Sequence, residues 1–231
     1  MKSKQHPGLK WLGRGVFVLL VLVSLALIFN EQIKSWLVSS YSPTVTAKKN
    51  TKKKSDFNFS KVKSLDFQTV AKARMNKNAI NVIGSIAIPS VDLYLPIGNG
   101  VSNETLALAA GTMKANQKMG QGNYALAGHH MIKHGALFSP LYYKSKVGQM
   151  IYVSDAKKIY AYKTSQRTFI KATDVQVIDD VPGQKLITLI TCDKTGAGRL
   201  MIRGKYEQQW SFKSAPTQVQ KAFTSHFNNK Y

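Results

Sequence analysis

Apolar positions are spread unevenly along the chain. Val16–Phe29 holds 13 apolar residues and one Ser in succession, and no other stretch approaches it. Trp11 and Leu12 extend the run on one side, and Ile33, Trp36, Leu37 and Val38 on the other. Together they reach the roughly 20 residues a bilayer-spanning helix needs. Residues 39–80 are polar and Lys-rich, with Lys48, Lys49, Lys52, Lys53 and Lys54 close together. That composition predicts a solvated linker, or a segment drawn to anionic headgroups or wall polymers. Val62, Leu65, Phe67, Val70 and Ala71 lie near a 3.6-residue period, predicting one short helix within 62–77. From Asn81 the pattern changes to short β-rich runs: Val82–Ile88, Val91–Ile97, Tyr124–Ala127, Met150–Val153, Ile159–Tyr162, Thr168–Thr173, Leu186–Thr191 and Leu200–Tyr206. Asp155-Ala156-Lys157 marks a hairpin. Leu186–Thr191 is a continuous Leu and β-branched run, as in a strand buried on both faces. About eight short strands predict an antiparallel barrel or sandwich, with helical patches at 105–110 and 138–144.

Charge gives the chain a direction. Lys and Arg number 33 against 11 Asp and Glu. Residues 1–80 carry +12 and residues 81–231 carry +10, so the first part is the denser. Lys2, Lys4, Lys10 and Arg14 precede the apolar run and Lys34 alone follows closely, which puts the N-terminus in the cytoplasm and the body outside. Trp11 and Trp36 sit where interfacial anchors belong. A cleaved signal peptide shares these features, with Val38-Ser39-Ser40 as a weak cleavage site. Either way the body is exported, and a nucleic-acid partner is not expected. The division expected is 1–14 cytoplasmic, 15–38 transmembrane anchor, 39–80 basic linker with a short helix and 81–231 a β-barrel domain. The length suits one domain with extras.

Cys192 is the one cysteine, so disulfide frameworks and multi-cysteine metal sites are excluded. It ends the run Leu186–Thr191, and Arg199 opens the next strand after the loop Asp193–Gly198. A loop of that length between antiparallel strands sets Cys192 opposite Arg199, with Cβ atoms about 5 Å apart. A fixed cation there favours a thiolate and stabilises an oxyanion. Buried, inert cysteines are common, but an unpaired one outside the cytoplasm points to reactivity or intermolecular pairing. A thiol nucleophile calls for an imidazole. His6 lies in the N-terminal segment and His226 in the polar C-terminal tail, leaving His129, His130 and His134. His129 follows Tyr124–Ala127 through Gly128, which permits a close backbone approach. The three His could also suggest a metal site, but no acidic or Cys ligand lies nearby in sequence. Gly196-x-Gly198 lacks the third Gly and following helix of a dinucleotide fingerprint and reads as a plain loop.

At Leu186–Cys192 (LITLITC), Arg199 and Asn123–His130 (NYALAGHH), the chain resembles the sortase family, and class A most closely. The resemblance covers about residues 75–210. It implies an eight-stranded β-barrel with short helices, behind an N-terminal transmembrane helix and linker. It also implies a cysteine transpeptidase that cuts Leu-Pro-x-Thr-Gly sorting signals between Thr and Gly and passes the acyl group to a peptidoglycan-precursor amine. Cys192 is then the nucleophile, His129 the acid and base, and Arg199 the donor to the oxyanion or substrate backbone. Arg203, on the same strand face, is a weaker candidate for that last role. His130 becomes a neighbour, and Thr191 a support for the site. Val175, Val177, Ile178 and Pro182, in the loop before the catalytic strand, become candidates to grip Leu-Pro, although an ordinary core would use such residues equally.

Some class A sortases require calcium through acids before the catalytic His. Here that segment carries Lys114, Gln117, Lys118 and Gln121 and no carboxylate, so calcium independence and no other cofactor are expected. The expected partners are sorting-signal peptides, the precursor amine and membrane lipid. An exported cysteine peptidase limited to hydrolysis, and a non-catalytic wall-binding module, remain the alternatives.

Overall fold

A computed structural model describes residues 7–45, 55–76, 80–131, 136–224 and 227. The side chains of residues 7–10 lie outside the description, as do His6, His134, His226 and the five-lysine stretch 48–54. Eight strands close into a barrel: β1 (Val82–Ile88), β2 (Leu93–Gly98), β3 (Ala110–Thr112), β4 (Asn123–Ala127), β5 (Met150–Ser154), β6 (Lys158–Lys171), β7 (Leu186–Cys192) and β8 (Gly198–Ser211). Their order around it is β1-β2-β3-β4-β7-β8-β6-β5. The barrel is not wholly antiparallel, as the strand pattern had suggested, because β2 with β3 and β4 with β7 run parallel. The runs Thr168–Thr173 and Ile159–Tyr162 belong to a single strand, β6, which pairs with β8 along its whole length through two register shifts.

Side-chain alternation separates the core from the outer face. Tyr124 and Leu126 on β4, Ile187 and Leu189 on β7, and Leu200 and Ile202 on β8 all enter the central core. Their alternates, including Asn123, Ala127, Thr188, Cys192, Arg199 and Arg203, therefore face outward. Closure leaves the sheet no open edges, so function can sit on this outer face without exposing unpaired backbone.

The helices are α1 (Pro7–Ile28), α2 (Asn30–Ser39), α3 (Phe67–Met75), α4 (Asn103–Leu108), α5 (Ser139–Lys144) and α6 (Thr217–Lys221). Trp11–Ile28 is apolar enough to cross a bilayer, with a mean hydropathy of 2.3, and it is exposed throughout. Asp66 caps α3 by accepting from the Thr69 N–H at 2.7 Å. Residues 55–76, expected within a solvated linker, instead pack on the barrel. Val70 and Ala73 of α3 are buried in the same cluster as Val38 of α2. Arg74 binds the Ser40 hydroxyl at 3.3 Å and lies over the Tyr41 ring at 5.7 Å. Interspersed apolar residues recover enough burial here to overcome a Lys-rich composition.

Gly128 follows β4 under the fully buried ring of Phe138, and a Cβ at 128 would lie 2.5 Å from that ring. The Gly128→Ala variant is expected to lose about 1–3 kcal/mol by overpacking. Thermal melts of the full chain in detergent measure this as a lower midpoint.

Candidate active site

Two strand pairings meet at the end of β7. On one side β4 runs parallel to it, with Asn123 beside Leu186 through to Ala127 beside Ile190. Continuing that register by two residues brings His129 alongside Cys192. The continuation is held by the Gly128 N–H donating to the Ile190 carbonyl at 3.1 Å and the Thr191 hydroxyl donating to the Gly128 carbonyl at 2.8 Å. On the other side β8 runs antiparallel, and Cys192 is paired directly with Arg199. The three residues line one outer-face cavity of about 290 Å³, together with Thr191 and Ile190. Cys192 is free and half-buried, and so reachable.

The loop after Cys192 is arranged around Asp193. One carboxylate oxygen accepts from the Thr195 N–H at 2.9 Å and its hydroxyl at 2.8 Å, and the other from the Gly198 N–H at 3.0 Å. These bonds, led by Thr195, hold the Asp193 carboxyl below its ordinary range. The turn in turn positions Arg199. Its Nη1 donates to the Gly196 and Gly198 carbonyls, both at 2.9 Å. Nε and Nη2 have no partner among the described residues, so those donors remain for a ligand.

His129 is partly buried, and burial pushes its imidazole down to about 4, since a charged ring there loses hydration. The ring is therefore neutral at pH 7. His130 is excluded from the cavity lining. It stacks on Tyr142 at 4.8 Å, with the Lys194 ammonium over the same Tyr ring at 5.7 Å. The third histidine of the cluster, His134, lies outside the described residues.

A second cavity of about 310 Å³ adjoins the first, and Met113, Ile190, Arg199 and Phe59 line both. Val175, Val177 and Ile178 form one side of it, on a 3-10 turn in the loop between β6 and β7. Pro182 lines neither cavity. It is exposed in the turn that leads back to β7. Arg203 also departs from its expected role. Its Nη2 donates to the Val177 carbonyl at 2.5 Å and its Nε to the Thr188 hydroxyl at 3.4 Å, so it braces the loop. Asn123 completes that brace, donating to the Val177 and Asp179 carbonyls at 3.0 and 3.1 Å and accepting from Thr188 at 2.7 Å. Asp180 closes it, accepting from Lys114 at 2.6 Å and the Asn123 N–H at 2.7 Å. Asn123 and Phe59 had not been singled out. The first lay within a recognised motif, and the second was an aromatic residue inside a stretch judged by its lysines.

A family model for the sortase domain matches residues 86–207, more than half of the chain. The chain belongs to the sortase family, whose members are cysteine transpeptidases. It is 37% identical to sortase A of Streptococcus agalactiae serotype III, over 98% of this chain and 97% of that protein. It is 38% identical to sortase A of Listeria monocytogenes, over 79% of this chain and 85% of that one. The crystal structure of the Listeria enzyme superposes with a TM-score of 0.58 at 39% identity, covering 62% of this chain and 98% of that chain.

The buried imidazole ties stability to pH. Below about 6.5 the unfolded chain protonates this ring, whereas the folded chain does so only near 4. Between those values the unfolded state holds more protons, so stability falls as pH drops, by about 3 kcal/mol in full. Melting temperatures of the full chain in detergent should decline across that window, and His129→Gln should flatten the decline. An unaltered slope in the variant would mean the ring is hydrated.

Proposed function

We propose that this chain is a class A sortase that cuts Leu-Pro-x-Thr-Gly signals between Thr and Gly and transfers the acyl group to a peptidoglycan-precursor amine. The observation that supports it most is that Cys192, paired with Arg199 across the antiparallel register, shares one cavity with His129, which lies two residues beyond the parallel pairing of β4 with β7. The Cys192 thiol gives its proton to neutral His129, and Sγ bonds to the Thr carbonyl carbon. Arg199 holds the oxygen as it becomes anionic. The imidazolium then protonates the departing Gly nitrogen as the C–N bond breaks, leaving a thioester. An incoming amine attacks the thioester carbonyl and loses its proton to His129. The C–S bond breaks, and the proton returns to sulfur.

The apolar helix α1 supports an anchored enzyme with its N-terminus in the cytoplasm and its barrel outside, next to its precursor substrates. Calcium plays no part in this reading. The segment between β3 and β4 offers no carboxylate, and its Lys114 neutralises the nearby Asp180.

Mass spectrometry of the full chain incubated with a Leu-Pro-x-Thr-Gly peptide should find the Leu-Pro-x-Thr acyl group on Cys192. Oligoglycine should convert it to the transpeptidation product, and hydrolysis alone at high amine would contradict the reading. Cys192→Ala should abolish both products. Arg199→Lys should lower kcat/KM by about 100-fold, because an ammonium lacks the planar fork. Added Ca²⁺ or chelator should change the rate less than twofold. A severalfold rise with Ca²⁺ would overturn the calcium part alone.

A further inference from the structure

The segment before α3 lies against the active-site cavity. Phe59, Val62, Lys63 and Ser64 contribute to the lining that holds Cys192, His129 and Arg199. Phe59 also lines the neighbouring cavity beside Val175 and Ile178. It is 38% exposed, and it leaves ring surface open to a ligand.

This segment is fixed on both sides of Phe59. Before it, the Val101 N–H donates to the Asp56 carbonyl at 2.7 Å and Asn99 to the Ser55 hydroxyl at 2.7 Å. After it, the Lys63 N–H donates to the Asn103 side chain at 2.9 Å, and Asn103 returns a bond to the Lys61 carbonyl at 3.4 Å. Between these ties Asn58 accepts from the Ser60 N–H at 3.0 Å and turns the chain. Gly100 admits the segment closely, since a Cβ there would lie 2.5 Å from the Asp56 carbonyl oxygen. A strap held at both ends on the barrel has the character of a wall rather than of a swinging cover.

We propose that Phe59 is a specificity-determining residue, forming the wall along which the apolar residues of the sorting signal pass from Cys192 into the second cavity. An extended peptide with its scissile carbonyl at Cys192 and apolar residues against Val175 and Ile178 crosses the boundary the two cavities share, and Phe59 stands on it. Binding covers the open face of the ring and gains from burial of that apolar surface. This assignment rests on the sortase reading above.

The test uses the full chain in detergent with a fluorogenic Leu-Pro-x-Thr-Gly peptide. Phe59→Ala is expected to raise KM about fivefold, as lost aromatic contact implies, with a much smaller change in kcat. Phe59→Leu should restore most of the affinity. Peptide protection of Cys192 from iodoacetamide should need correspondingly more peptide in Phe59→Ala, while alkylation without peptide stays near the wild-type rate. An unchanged KM overturns the assignment. So does a raised kcat/KM with faster alkylation of the free enzyme, which would mark the segment as an obstruction. Wild-type chain that neither turns over nor is protected by the peptide would sink the Leu-Pro-x-Thr-Gly reading and the wall with it. Normal wild-type turnover with an unaffected Phe59→Ala would remove the wall alone.

Discussion

One strand carries two different neighbours, and the site depends on that. β7 is hydrogen-bonded to β4 in parallel and to β8 in antiparallel fashion. Its last residue, Cys192, is therefore bracketed by side chains from chain segments that arrive from opposite directions. Strand spacing is about 4.8 Å on either side, so backbone pairing does the positioning and little is left to side-chain flexibility. The bond from Thr191 to the Gly128 carbonyl fixes the register at the point where the regular ladder ends. The Asp193 turn does the same for the hairpin side.

The electrostatic arrangement is asymmetric. Arg199 is oriented by two backbone carbonyls. His129 is kept neutral by its surroundings. On the reading proposed above, such a ring takes the thiol's proton as sulfur attacks the peptide carbonyl and gives it up to the leaving nitrogen within the same cycle. Solvent need not supply that proton, and a partly dry pocket suits such an internal exchange.

The hairpin half of this arrangement was legible in the chain. Cys192 and Arg199 are separated by a short Gly-containing loop, and a hairpin places such residues opposite one another. The other half was hidden, because β4 and β7 are far apart in sequence and pair in parallel. Nothing in local patterning says which strands lie side by side, so the association of His129 with Cys192 came from family likeness. Asn103–Leu108 and Ser139–Lys144 fall close to the helical patches expected at 105–110 and 138–144. The short helix within 62–77 was legible in the spacing of its apolar residues, as α3 shows, but the packing of residues 55–76 on the barrel was not, because composition averages over positions. The linker's lysines dominate the count, while Phe59, Val62, Leu65 and Val70 decide where the segment lies. Arg203 was misplaced for a related reason: sharing a strand face with Arg199 does not say which loop folds over each.

The docking of α2 on α3 bears on how such an enzyme would search for its substrates. Val38 is wholly buried only ten residues after α1 ends, and Arg74 clasps Ser40 and Tyr41 just beyond it. For a chain anchored through α1, the barrel is mounted on a short post instead of a slack leash. Its cavity mouth would then keep a set height and bearing above the lipid, and encounters would become a matter of two-dimensional drift.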